Sequence, residues 1–362
     1  MISMKRFYFL IIVLLAGGTA AFSQTSNCTQ VLRLVRSTYE QGRLHELPGI
    51  TEGCLKAPEG KGFTTAEKRE TYRFLTYAYI YLEEPEKADE MMLKLLETDP
   101  FYEINSSVDP AEFIALFNKF RHDPIFRYGI KIGANMTQPA VFQYYNIGST
   151  AGGKGTYGLS GNFHITLMFE KDLPKLNKKI ILAPEIAWVN RTYSYTNPSL
   201  ATFDTDGTAI SSQTFAMKQS WLDLNGIVQY KLMNTLQRQT YVGLGPGLSF
   251  LLSSSNQAST NIGIGAQKYT VTGPAVDDSK SFNKLIYSIT TVVGVKQKVG
   301  GLYITADVRY QYGISNVVNK SSRTNPEIAF DYWGQYPDYR MSNVMLNFGV
   351  LIPKFSPKKL IR

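Results

Sequence analysis

The chain has 362 residues, 44% of them hydrophobic and only 19% charged, with 29 glycines, 23 tyrosines, 20 phenylalanines and a formal charge of +9. That composition excludes a disordered polymer and leans toward β-structure with many turns. Two cysteines are too few for a disulfide scaffold or a cysteine-rich zinc site, and three histidines far apart (His45, His122, His164) speak against a histidine metal cluster or triad, so no catalytic, cofactor or metal residue is assigned.

Residues 1–23 have the three parts of a secretory signal peptide: Lys5 and Arg6, the apolar run Phe7–Ala16, and Ala21-Phe22-Ser23 as cleavage site before Gln24. The run is shorter than the roughly 20 residues of a bilayer-spanning helix, which favours a cleaved signal over an anchor. Cys28 follows Thr25-Ser26-Asn27 rather than small apolar residues, so a lipid anchor is not expected. No later apolar stretch approaches about 18 residues, so any membrane crossing must be made by strands.

The next segment, 24–125, reads as a small helical domain. It carries 12 Lys plus Arg against 17 Asp plus Glu, a net of −5. Val31, Leu32, Leu34, Val35 and Tyr39 recur at helical spacing, Gly42 interrupts them, and a second short helix extends to Leu55. Thr64 and Glu67 form a capping box that opens a helix over Ala66–Leu82, and Pro85 suits the first turn of the next, where its missing N–H is harmless. Asp99-Pro100 stops that helix, and Asp109 is the expected cap of a last one carrying Phe113, Leu116, Phe117 and Phe120. The paired helices resemble degenerate tetratricopeptide repeats, with an irregular bundle as the alternative; either suits a domain that binds protein segments. Cys28 and Cys54 fall where an antiparallel hairpin brings its ends together, so an oxidising compartment favours a disulfide over two buried thiols. Closing about 27 residues would contribute up to roughly 3 to 4 kcal/mol.

The remainder, 126–362, is basic, with 24 Lys plus Arg against 12 Asp plus Glu, and it alternates apolar with small or polar residues in eight segments. The first, Arg127–Thr137, sets Tyr128, Ile130, Ile132, Ala134 and Met136 against Gly129, Lys131, Gly133 and Asn135. The same period places Glu185 and Arg191 opposite Ile186 and Trp188, Asp223 opposite Leu222 and Leu224, and Asp307 and Arg309 opposite Val308 and Tyr310. Links after the second, fourth and sixth segments are short (Glu170–Lys178, Leu232–Gln237, Val299-Gly300) and the others long, the rhythm of outer-membrane barrels, whose tight turns are periplasmic. The expected fold class is therefore α plus membrane β: an eight-stranded antiparallel transmembrane β-barrel preceded by a small all-α domain in the periplasm. A soluble β-sandwich also alternates, but strand length, the loop rhythm, the signal and aromatics at strand ends (Tyr128, Phe169, Trp188, Tyr230, Tyr310) favour the barrel.

Eight strands leave an interior filled by side chains, so Lys131, Glu185, Arg191, Asp223, Asp307 and Arg309 are expected to pair inside a bore that is no wide channel. Arg127, Lys171, Lys175, Lys178, Lys179, Lys231, Arg238, Lys296, Lys298, Lys354, Lys358 and Lys359 gather at the short-turn rim, a belt suited to anionic lipid headgroups. Clustering at turns rather than along an aromatic-lined groove argues against nucleic acid as partner. Whether the loop runs Asp204-Thr205-Asp206 or Asp277-Asp278 bind calcium is left open by the sequence: neither holds a full ligand set, and exposed loop acids are the usual explanation.

Over about 126–355 the chain resembles the PorT-like outer-membrane β-barrel family of Bacteroidetes, through Gly129–Gly133, Pro184-Glu185 and Val242-Gly243-Leu244-Gly245-Pro246-Gly247. The fusion of a closed small barrel to a repeat-like helical domain leads to the expectation of a non-enzymatic outer-membrane anchor, with membrane lipid and other outer-membrane or periplasmic proteins as partners; some members of the resembled family act in type IX secretion and gliding, and the resemblance implies that setting. Two alternatives are a barrel hydrolase acting on lipid or surface peptide, for which His164 is the only barrel histidine, and a narrow solute pore.

Overall fold

The computed structural model describes residues 27–58, 60–145, 156–173, 179–196, 202–203, 209–235, 237–264, 267–323 and 336–360. The expected signal peptide, Asp204-Thr205-Asp206, Lys175 and Lys178 lie outside these residues. The chain divides into two compact units: a helical one, described over 27–123 with 356–360, and a barrel one, Pro124–Phe355.

The helical unit holds α1 (Asn27–Glu40), α2 (Leu47–Lys56), α3 (Thr65–Tyr81), α4 (Pro85–Thr98) and α5 (Ala111–Phe117). The capping box forms: Thr64 N–H donates to Glu67 Oε2 at 2.9 Å and Glu67 N–H to Thr64 Oγ1 at 3.3 Å. Cys28 and Cys54 are joined in a disulfide with Cα atoms 5.7 Å apart, beside Leu32 and Phe63. A larger core gathers Tyr77, Met92, Leu95, Leu96, Phe113, Phe117 and Phe120.

Two details of this unit differ from the sequence expectation. Asp109 does not cap α5, whose N-cap is Pro110; its carboxylate is taken up by the Tyr77 and Tyr102 hydroxyls and the Asn105 N–H. The C-terminal tail belongs to the helical unit. Phe120 and Lys359 form a β-bridge, flanked by Arg121 N–H to Lys358 O at 2.9 Å and Leu360 N–H to Lys119 O at 2.7 Å, and the Lys359 ammonium pairs with Asp89.

The barrel unit contains β1 (Phe126–Gln143), β2 (Thr156–Leu159), β3 (Gly161–Asp172), β4 (Ile180–Thr196), β5 (Thr202–Phe203), β6 (Ala209–Asn234), β7 (Arg238–Ile264), β8 (Gln267–Asp277), β9 (Leu285–Val299), β10 (Leu302–Gly313) and β11 (Asp338–Lys354). Eight of them close an antiparallel ring in the order β1, β3, β4, β6, β7, β9, β10, β11, with β11 pairing back to β1. The remaining three pair beyond it, β2 on β4, β5 on β6 and β8 on β7. At the short-turn end β9 and β10 are joined by Gly300-Gly301, and Gly300 takes φ +57°, a conformation that a tight hairpin requires and glycine adopts without strain.

The period-2 pattern decides which face is which. Ile132, Leu167, Leu244, Val293, Val308 and Phe348 are exposed on the outside of the ring, while Lys131, Glu185, Arg191, Asp223, Asp307 and Arg309 are buried within it. A soluble sandwich buries the apolar set against a second sheet, so the sandwich alternative fails. Fully exposed to water, each large aliphatic side chain would forgo roughly 1.5–3 kcal/mol, whereas a bilayer's hydrocarbon accepts them all. Among the described residues no helix is long and apolar enough to cross a membrane; the crossing elements are strands.

β6 and β7 run for 26 and 27 residues, far beyond the expected segments and the roughly 9–11 a crossing needs. Their excess lengths, with β5 and β8, form a sheet past the long-loop end of the ring.

Candidate functional site

The bore is built from inward-pointing positions on all eight ring strands, and its charges fall into tiers. In the middle tier, Lys131 Nζ on β1 lies 2.7 Å from Asp307 Oδ2 on β10 and 3.3 Å from Glu185 Oε1 on β4. Arg309 completes this tier, its Nη2 donating to Glu185 Oε1 at 3.0 Å and its Nε to Asp307 Oδ1 at 2.6 Å. The Tyr241 hydroxyl and Asn347 Nδ2 donate to Asp307 at 3.1 and 2.8 Å. Two positive and two negative groups are thereby neutralised among hydrogen bonds, the condition under which buried charges are tolerated.

Toward the long loops, Arg191 Nη2 meets Asp223 Oδ2 at 2.6 Å and Gln311 Oε1 at 3.1 Å. The bore there becomes apolar: Tyr193, Met217, Trp221, Ile286, Tyr339 and Met341 pack with Phe282, Val317 and Val318 of the loops. Tyr193 and Tyr339 join hydroxyls at 2.5 Å. This plug was not anticipated, although Trp221 and Tyr193 share the inward parity of Asp223 and Arg191.

At the short-turn end, Arg127 is bonded to Glu170 at 3.2 Å and to both oxygens of Asp172 at 3.0 and 2.8 Å. Lys296 Nζ reaches Glu170 Oε2 at 2.7 Å and Gln229 Oε1 at 2.9 Å, and Lys231 reaches Asp172 at 2.8 Å. The headgroup belt expected from the sequence therefore loses Arg127, Lys231 and Lys296, which turn inward because acidic partners are within reach there. Lys171, Lys179, Arg238 and Lys354 remain exposed. Parity could have found the inward set, since Arg127 lies two steps of two before Lys131 and Lys296 two after Gly294.

His164 is buried in mid-bore, its Nε2 2.5 Å from Asn347 Oδ1 and its Nδ1 3.4 Å from Asn135 Oδ1. Both hydrogen-bond partners are amide side chains. No three His, Cys, Asp or Glu side chains gather as a metal site among the described residues.

Among the described residues of the helical unit outside the tail, the large apolar side chains left exposed are Leu34, Tyr81 and Val108. Asp109 is buried beneath Tyr77 and Tyr102. Burial, then the Asp109 charge, pushes the Tyr102 hydroxyl up to about 12; burial, then its bond to Asp109, raises Tyr77 as well.

Residues 122–319 match the family model described as outer membrane protein beta-barrel domain. Similar solved structures include Neisserial surface protein A, 10% identical, covering 62% of this chain and 96% of its own, with a TM-score of 0.28. The outer membrane protein OprG from Pseudomonas aeruginosa is 11% identical over 65% of this chain and 98% of its own, TM-score 0.31. The outer membrane protease OmpT from Escherichia coli is 10% identical over 63% and 96%, TM-score 0.29. No curated protein matches the chain.

Proposed function

The chain belongs to the outer membrane protein β-barrel domain family, and from that premise we propose that it is a non-enzymatic membrane anchor that presents its helical unit to a partner protein in the periplasm. The observation that carries this reading is the obstructed bore: charges from opposite walls meet in its middle and an apolar plug fills its long-loop end. A barrel so filled offers lipid a surface and the cell an attachment point, which leaves recruitment to the parts outside it.

The helical unit suits recruitment. It is a disulfide-stapled set of hairpins resembling tetratricopeptide repeats, with Leu34, Tyr81 and Val108 exposed. Tight turns of outer-membrane barrels are periplasmic, and both chain connections to this unit leave from that end, at Pro124 and Phe355. Among multiprotein outer-membrane assemblies, the PorT-like resemblance of Gly129–Gly133, Pro184-Glu185 and Val242–Gly247 favours type IX secretion or gliding machinery.

Crosslinking in intact cells from photo-reactive residues at Leu34 and Tyr81, followed by purification of the full chain, tests the proposal. A discrete partner band, absent when the crosslinker is placed on the lipid face at Ile132, is the expected result. Recovery of the lone chain from every helical position would overturn it.

A further inference from the structure

The buried acids of the barrel unit follow one rule with one exception. Glu170 pairs with Arg127 and Lys296, Glu185 and Asp307 with Lys131 and Arg309, Asp223 with Arg191, and Asp338 with Arg323. Asp278, in the link between β8 and β9, is 0% exposed and has no basic partner among the described residues. Its Oδ2 accepts from the Tyr336 hydroxyl at 2.6 Å, and its Oδ1 has no hydrogen-bond partner in the protein. A lone buried carboxylate is costly, and the other acids of this barrel show how that cost is normally offset.

Two further buried oxygens, on residues bonded to the same Tyr336 hydroxyl or to Asp278 itself, are in the same condition. Asn256 on β7 is 6% exposed; its Nδ2 donates to the same Tyr336 hydroxyl at 3.2 Å, and its Oδ1 has no partner. Ser281 is 1% exposed, its N–H donates to Asp278 O at 2.8 Å, and its Oγ is likewise without a partner. One carboxylate, one amide oxygen and one hydroxyl, all oxygen and all desolvated, are the donors of a hard cation rather than of zinc or copper.

We propose that Asp278 Oδ1, Asn256 Oδ1 and Ser281 Oγ ligate a divalent cation of the calcium class at the long-loop rim of the barrel. Calcium accepts six to eight oxygens in irregular arrangement, with water filling the positions the protein leaves, whereas magnesium demands a near-ideal octahedron. A single carboxylate implies weak binding, of the order of the 10⁻⁴–10⁻³ M typical of extracellular sites. The acidic pair noted in the sequence becomes a site only because β7 supplies Asn256 and the turn supplies Ser281. Bound there, the cation would tie the β8–β9 link to the extended sheet.

The test uses the full chain in detergent. Terbium luminescence excited through tyrosine should saturate, be displaced by CaCl2 at about 1 mM, fall at least tenfold in Asp278→Asn, and survive in Asp277→Asn. Signal that persists in Asp278→Asn would assign the ion to exposed acids and overturn the proposal. Thermal unfolding supplies an independent arm. In EDTA, Asp278→Asn should melt above the natural chain, because it removes an unpaired charge; CaCl2 should raise only the natural chain. A natural chain indifferent to CaCl2 but stabilised by mild acid would mean that Asp278 holds a proton, and the cation site would be refuted.

Discussion

Arg309 on β10 and Glu185 on β4 stand four strands apart in a ring of eight, and their side chains meet in the centre of the bore, Nη2 to Oε1 at 3.0 Å. Side chains from opposite walls can touch only if nothing passes between them. Planar-bilayer recordings of the purified chain are therefore expected to show no steady conductance, and a reproducible single-channel step would contradict the geometry. Arg309→Ala leaves Glu185 and Asp307 to share Lys131, and breaking a buried pair from one side costs about 3–5 kcal/mol. Urea unfolding in detergent should show that loss. Removing both charges, as Arg309→Met with Glu185→Leu, should cost less than the sum of the single changes.

Gly133 on β1 lies opposite His164 on β3, and a Cβ there would approach the imidazole Cε1 to 2.6 Å and Leu346 O to 2.2 Å. The glycine makes room for the ring that bonds Asn135 and Asn347. Gly133→Ala is expected to destabilise the barrel by about 1–3 kcal/mol, read as a lower midpoint for loss of the folded electrophoretic form. His164→Ala removes one of the two clashing groups, so Gly133→Ala should cost less in that background. Equal cost in both backgrounds would place the whole effect at the Leu346 carbonyl.

The sequence displays the ring strands because one face of each meets hydrocarbon and the other a packed bore, two environments that sort side chains at a period of 2. Tyr128, Ile130 and Ile132 against Lys131 are readable for that reason. Past the membrane the sorting relaxes: Ser253–Asn261 of β7 is polar on both faces, so it reads as loop although its backbone is fully paired with β6. The two-residue β5 and the strand β8, which pair on β6 and β7, fall in stretches between the alternating segments that read as loop. The inward turn of Arg127 and Lys296 follows from their parity, but basic residues beside a turn also suit a lipid rim, and only three-dimensional proximity to Glu170 decides between them. Asp278 was visible as an acid in a loop; its burial and its lack of a base depend on contacts with Tyr336 and β7, distant in sequence.

The C-terminal tail is bonded to the end of the helical unit. Ending the chain at Phe355 removes the Phe120–Lys359 bridge, the bonds of Lys358 and Leu360, and the Lys359–Asp89 pair. Backbone hydrogen bonds contribute about 0.5–1.5 kcal/mol each, and an exposed ion pair no more than about 1 kcal/mol. Hydrogen exchange at residues 117–121 should accelerate while the barrel keeps its folded electrophoretic form. Asp89→Asn alone should have a much smaller effect. Unchanged protection after truncation would show that the tail rests on the unit without stabilising it.

Asp109 links the stability of the helical unit to alkaline pH. The Tyr77 and Tyr102 hydroxyls both converge on its carboxylate. Tyrosine in an unfolded chain titrates near 10, whereas burial and then Asp109 carry Tyr102 up to about 12, and Tyr77 is raised too. Below pH about 10 both states keep the phenolic protons and the contribution is complete. Above it the unfolded chain releases protons first, so the helical unit should lose stability as pH climbs through about 10 toward 12. Far-UV circular dichroism, whose helical signal comes from this unit, follows the loss. Tyr102→Phe should make the alkaline decline shallower. Tyr77→Phe should instead cost about 1–3 kcal/mol already at neutral pH, because it strips a donor from a buried carboxylate. If neither substitution altered the alkaline profile, the pH response would have to arise from tyrosines elsewhere in the chain.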